Sequence, residues 1–138
     1  PIPALTILND MFVNQSRFFS VKELTCHCGC GKAEMDKHFM ERLDSIRLAF
    51  GLPLRLSSAY RCPEYNQKVS VTGEGGPHTT GRAVDVLVSG REAFQLLDVA
   101  ITSGMTGIGI KQHGPHANRY LHLDDLTHTG RPWLWSYS

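Results

Sequence analysis

Two imidazoles and one carboxylate have the types and spacing to hold a metal ion: His78, Asp85 seven residues on, and His122 a further 37 along. Asp85 sits in the run Ala83, Val84, Asp85, Val86, Leu87, Val88. This run is rich in β-branched residues and is too short, with too much glycine around it, to be a helix. As part of a strand, Asp85 shares a face with Ala83 and Leu87. A carboxylate among apolar neighbours is costly unless a cation or hydrogen-bond donors meet it. In the run around His122, a period of two puts Tyr120, His122 and Asp124 on one face and Leu121 and Leu123 on the other. His78 follows Gly75, Gly76 and Pro77, a flexible turn from which it can swing toward Asp85. Nitrogen and oxygen ligands in this mix suit one zinc ion, which in catalytic sites takes three protein ligands and leaves a fourth position open.

Two further groups carry chemical potential. Ser57, Ser58, Ala59, Tyr60 and Arg61 leave one strand and enter a helix, with Asn66 about a turn further on. An arginine at a strand end can clamp a carboxylate or a polarised carbonyl through paired N–H groups. Cys26, Cys28 and Cys30 alternate, and Cys62 stands alone after Arg61. One residue between thiols is not the spacing of common zinc knuckles. A zinc on all four, a disulfide from Cys62 to one of the other three, and free thiols are each compatible with it. A catalytic cysteine is disfavoured, because neighbouring thiols compete and no base is placed beside them.

The elements that must position these groups follow from pattern. Residues 1–18 suit an N-terminal arm or a short helix, and Ser20 with Glu23 forms a capping box before the cysteines. Asp36 caps a long helix with Phe39, Leu43, Ile46 and Phe50 on its inner face, ended by Gly51 and Pro53. Leu54–Ser58 reads as a strand, Pro63–Lys68 as a short helix, and Thr72–Pro77 as a mobile glycine-rich rim. Ser89 caps a second long helix with Phe94, Leu97 and Ile101 inward and Gly104 as its stop. Gly107–Ile110 and Arg119–Asp124 form a hairpin around a turn rich in His and Gly. The pattern predicts an α+β fold, a small mostly antiparallel sheet with flanking helices.

At 138 residues the chain fits one domain, 1–138. A hydrophobic content of 41% and a net charge of +1 give no electrostatic case for nucleic acid or an anionic membrane as partner. No apolar run suffices for a membrane span. The start lacks the regions of a secretory signal, so export is expected to use a signal already removed or another route.

In order and spacing, Ser58 to Arg61 with Asn66, His78 to Asp85 with Gly81 and Ala83 between, and His122 with Asp124 resemble the zinc D-alanyl-D-alanine carboxypeptidase family. That family also takes in phage L-alanyl-D-glutamate endolysins and is similar in fold to the hedgehog signalling domain. The resemblance covers roughly Phe19 to Trp135. It implies a zinc peptidase domain that hydrolyses peptidoglycan stem peptides at the bacterial cell wall, acting as a monomer. It implies that His78, Asp85 and His122 hold the zinc and that Arg61 acts in catalysis. Arg61, Ser58 and Tyr60 would bind substrate, and Asp124 would orient a ligand imidazole from behind. Many members place an acid three positions before the second ligand histidine as general base, where this chain has Arg119. His116 is then the first choice of base, ahead of His113, Asp124 and Glu74. The competing class is a non-catalytic cell-wall-binding or virion structural module on the same scaffold, favoured by Arg119. Trp133 and Trp135 would wall the groove or pack under the sheet.

Overall fold

The period-two runs assemble into one sheet, and the long helices cover only one of its faces. The computed structural model describes Leu8 and residues 10–138. The expected N-terminal arm or helix therefore lies partly outside the described residues. Its described part supplies strand β1 (Phe12–Val13), which pairs antiparallel with β2 (Met35–Asp36). The main sheet comprises β3 (Arg55–Ser58), β4 (Ala83–Leu87), β5 (Gly107–Lys111), β6 (Tyr120–Asp124) and β7 (Trp133–Ser136), in the order β3-β4-β6-β5-β7. All its pairings are antiparallel except β5 with β7. The α+β expectation of a mostly antiparallel sheet holds. The tryptophan tail is more than a wall or a plug, since it forms the fifth strand.

Helix α1 (Val21–Leu24) has both halves of the capping box, Ser20 Oγ accepting from Glu23 N–H and the Glu23 carboxylate accepting from Ser20 N–H. Helix α2 (Lys37–Phe50) starts at Asp36, whose carboxylate accepts the Phe39 N–H at 2.8 Å. It ends where Gly51 enters the left-handed region. Phe39, Leu43 and Ile46 are buried as expected, together with Met40. Helix α3 (Pro63–Val69) carries Pro63 in its first turn, where no backbone N–H is needed.

Helix α4 (Gly90–Thr102) begins after Ser89, although the serine side chain makes no capping bond. Its inner face is not the one expected. Ala93, Leu96 and Ala100 are buried, Leu97 is half-buried, and Phe94 and Ile101 are exposed at 75% and 57%. The inward stripe is displaced by one residue, about 100° around the axis, and uses two alanines. Such small side chains let the helix backbone come close to its neighbours, and packing then outweighs the larger apolar stripe. Val84, Val86, Ile108, Leu121 and Leu123 fill the sheet side of this core.

Leu96→Ala should cost about 2–5 kcal/mol in urea denaturation through loss of buried volume. Phe94→Ala should stay within about 0.5 kcal/mol. The reverse ranking would restore the originally expected face.

Candidate metal centre

Register brings two of the polar residues together. Asp85 on β4 lies opposite His122 on β6, so both project from the same face, the one opposite Val84, Val86, Leu121 and Leu123. His122 Nδ1 stands 3.1 Å from Asp85 Oδ1. His78 comes from a single 3₁₀ turn, Pro77–Thr80, just before β4, and its Nε2 is 3.3 Å from the same oxygen. All three residues are buried, and their ligand atoms lie within 4.8 Å of one another. His78 is held rather than swinging, because Nδ1 is 2.7 Å from the Ala59 carbonyl. Ala59 follows a bulge between Leu56 and Ser58 on β3, which bends the strand end toward the site.

The partners of the outer ring nitrogens fix which inner nitrogen is free. The Ala59 carbonyl can only accept, so His78 Nδ1 carries the proton and Nε2 presents a lone pair. His122 Nε2 is 2.8 Å from Asp124 Oδ2 and Nδ1 is 3.1 Å from Asp85 Oδ1, so a cation replacing the proton on Nδ1 would leave Nε2 donating to Asp124 and Nδ1 offering its lone pair. Two imidazole nitrogens and a carboxylate oxygen thus meet at one point, an arrangement that only a cation or added protons satisfy. Ligand atoms around a tetrahedral zinc with bonds of about 2.0–2.1 Å are about 3.3 Å apart, close to the spacings here. The donor set fits zinc.

Electrostatics in the metal-free protein run the same way. Burial pushes the Asp85 carboxyl up, but the His78 charge and the hydrogen bonds from His122 and His78 outweigh it and hold the group well below the usual carboxylate range. Burial lowers His122, yet the Asp124 and Asp85 carboxylates together raise it. Asp124 is opposed by its own burial and still falls to about 2, because it accepts from His122 and from a two-point fork of Arg131. Both Asp124 oxygens are therefore engaged, which places the residue behind His122 and leaves it unsuited as a proton acceptor.

Arg61 faces the other side of the cluster. Its Nη2 is 3.4 Å from Asp85 Oδ2, its Nε donates to Ser58 Oγ at 3.0 Å, and its Nη1 donates to Asn66 Oδ1 at 3.2 Å. Buried Asn66 in turn donates to Thr72 and Gly73, tying the glycine-rich rim to α3. Ser58 and Tyr60, expected to touch substrate, are buried instead. Ser58 steadies Arg61, and Tyr60 packs in the core.

A cleft of about 680 Å³ opens over His122. The glycine-rich rim forms one side, and His128, Arg131, Trp133, Trp135 and Tyr137 contribute to the other. The Trp135 ring centre lies 5.1 Å from that of His122 and stacks with the Arg131 guanidinium at 5.2 Å. Gly109 makes this possible, since a Cβ there would run into the Trp135 indole and the Tyr137 ring. His116 and His113 sit exposed on the hairpin turn and do not line the cleft, and Glu74 is exposed on the rim. Arg119 donates to the Gly114 carbonyl and pins that turn. Arg131 and Tyr137 were missed from sequence, whereas Trp133 and Trp135 line the cleft as one of the two expected uses had them, and their alternation is itself a strand signal.

Among comparisons with known proteins, the profile described as Peptidase M15 matches residues 17–124. No curated protein matches the chain.

Two outcomes test the site. Asp124→Asn and Arg131→Met should each weaken zinc binding about 10–100-fold in a chelator competition, the usual effect of losing support behind a ligand. Unchanged affinity would remove both from the site. The second outcome concerns pH in chelator-treated protein. The raised His122 gives stability that is full below its ordinary 6.5 and is lost as pH rises through its folded value. The lowered Asp124 gives stability present above 3.8 and lost as pH falls toward about 2. The chelated protein should therefore melt highest between pH 3.8 and 6.5 and lose stability on the alkaline side. Added zinc should reverse that alkaline trend, because the metal displaces the His122 proton.

Proposed function

Because the chain belongs to the M15 peptidases, the family of the zinc D-alanyl-D-alanine carboxypeptidases, we propose that it hydrolyses peptide bonds in peptidoglycan stem peptides at the cell wall. His78, Asp85 and His122 would hold the single catalytic zinc. The observation that carries this reading is the convergence of two imidazole nitrogens and one carboxylate oxygen in a buried cluster whose His122 lines the cleft. When bound, zinc supplies Lewis acidity to a carbonyl group and to water.

The chain's own residues supply the rest. Ala59 and Asp124 hold the ligand rings in the tautomers the site requires. Arg61 uses one N–H on each of its three nitrogens within the protein. Each terminal nitrogen keeps a second N–H for a substrate carboxylate or an oxygen gaining negative charge. Its bonds to Ser58 and Asn66 fix it in advance, so little ordering is needed when substrate binds. Trp135 and the rim flank a groove suited to an extended peptide. We assign the proton-accepting role to His128, which lines the cleft with His122, ahead of His116, which does not. No helix among the described residues is long and apolar enough to cross a membrane.

Purified peptidoglycan incubated with the protein should release peptides, detected by mass spectrometry, that vanish with chelator and return with zinc. No chelator-sensitive product would leave a non-catalytic wall-binding module. His128→Ala should lower kcat by about 10²-fold or more while His116→Ala changes it little, in line with the usual contribution of a general base. The opposite ranking would move the role to the hairpin turn.

A further inference from the structure

The four cysteines lie outside the peptidase site and form a cluster of their own. Cys26 Sγ is 3.5 Å from Cys28 Sγ and 3.8 Å from Cys62 Sγ, and Cys28 Sγ is 3.6 Å from Cys62 Sγ. With Cys30 included, all four sulfurs lie within 4.8 Å of one another. We propose that Cys26, Cys28, Cys30 and Cys62 bind a second zinc ion, with a structural role.

The spacing is the first support. Four thiolates around a zinc with bonds of about 2.3 Å stand about 3.8 Å apart, which the three measured separations approach together. A disulfide would draw a single pair to about 2.05 Å and leave two thiols over, whereas the separations among Cys26, Cys28 and Cys62 are nearly equal.

The backbone is the second. Alternate residues of an extended chain point the same way but about 6–7 Å apart, too far for a shared ion. Here the chain is coiled instead: Gly29 and Gly31 take the left-handed region at φ 90° and 79°, and Cys26 N–H closes the loop onto the Lys32 carbonyl at 2.8 Å. Those two glycines let the one-residue spacing serve where a knuckle would use longer gaps. The Cys30 N–H donates to Cys28 Sγ and the Cys62 N–H to Cys26 Sγ, each at 3.4 Å. Such bonds stabilise sulfur as thiolate.

The donor set defines the ion and its role. Four soft sulfurs select zinc over magnesium or calcium, and a closed set of four protein ligands leaves no position for substrate. Cys26 and Cys62 are buried while Cys28 and Cys30 are exposed, so the ion is reachable from solvent and anchored in the core. Cys62 directly follows Arg61 and precedes α3. The ion would fasten the loop 26–31 to the segment that carries Arg61 to Asp85.

The proposal is tested on protein produced with zinc, by elemental analysis together with a thiol count in denaturant and chelator without reductant. Two zinc ions per chain and four reactive thiols are expected. The His78→Ala/Asp85→Ala variant should keep one ion and the Cys28→Ser/Cys30→Ser variant should lose one. Cobalt substitution, on wild type or on the His78→Ala/Asp85→Ala variant, should give thiolate-to-metal charge-transfer absorption, which a site of two imidazoles and a carboxylate does not produce. This reading stands even if the cysteine-variant protein folds poorly. Fewer than four reactive thiols, no thiolate band with cobalt, or full zinc content in a folded Cys28→Ser/Cys30→Ser variant would each overturn the proposal. Failure of the peptidase site would appear separately, as one ion in wild type that survives His78→Ala/Asp85→Ala.

Discussion

A buried carboxylate at the centre of a sheet needs partners on every side, and the surroundings of Asp85 are built around that need. One oxygen faces His78 and His122, and the other faces Arg61. Each partner is in turn held by a further group: His78 by the Ala59 carbonyl, His122 by Asp124, and Arg61 by Ser58 and Asn66. The pattern spreads until it reaches Arg131 and the glycine-rich rim. An interior charge is stabilising only when its whole set of partners is complete. Losing any single member therefore exposes the others to the full cost of an unpaired buried group.

The two faces of the sheet divide the labour. One face is apolar, packed against α2 and α4, and supplies the rigidity. The other carries Asp85, His122, Asp124 and the Trp135 indole, positioned by strand register rather than by loops. Sites on strands are held more tightly than sites on loops, which suits ligands that must meet within fractions of an ångström. Of the groups that meet Asp85 directly, His78 and Arg61 arrive from outside the strands, and both are anchored where the bulged end of β3 runs toward α3.

Most of this was legible in the sequence because it rests on local periodicity. Alternation around Asp85 and His122 gave the strands and the shared face, and Asp36 with Gly51 marked both ends of α2. What stayed hidden depends on tertiary choice. The inward face of α4 was decided by close packing of Ala93 and Ala100, which hydrophobicity alone ranks below Phe94 and Ile101. Ser58 and Tyr60, which the family resemblance implied for substrate, are turned inward where the bulge bends the end of β3. Arg131 reaches Asp124 from a loop with no periodic signal, so nothing local announced it. The cysteine spacing left a zinc, a disulfide and free thiols all open. It departs from the common motif, and only the coiling at Gly29 and Gly31 shows how the four sulfurs meet.

The placement of Trp135 gives the site an optical reporter. Its indole lies within van der Waals range of the His122 environment and shares the Arg131 guanidinium that orients Asp124. Protonation of an adjacent imidazole quenches indole emission, and exchange of that proton for a metal changes the quenching. The intrinsic fluorescence of this residue would therefore follow the state of the proposed ligand set directly, without label or cofactor. Exposed Trp133 supplies a background that does not share the contact with His122.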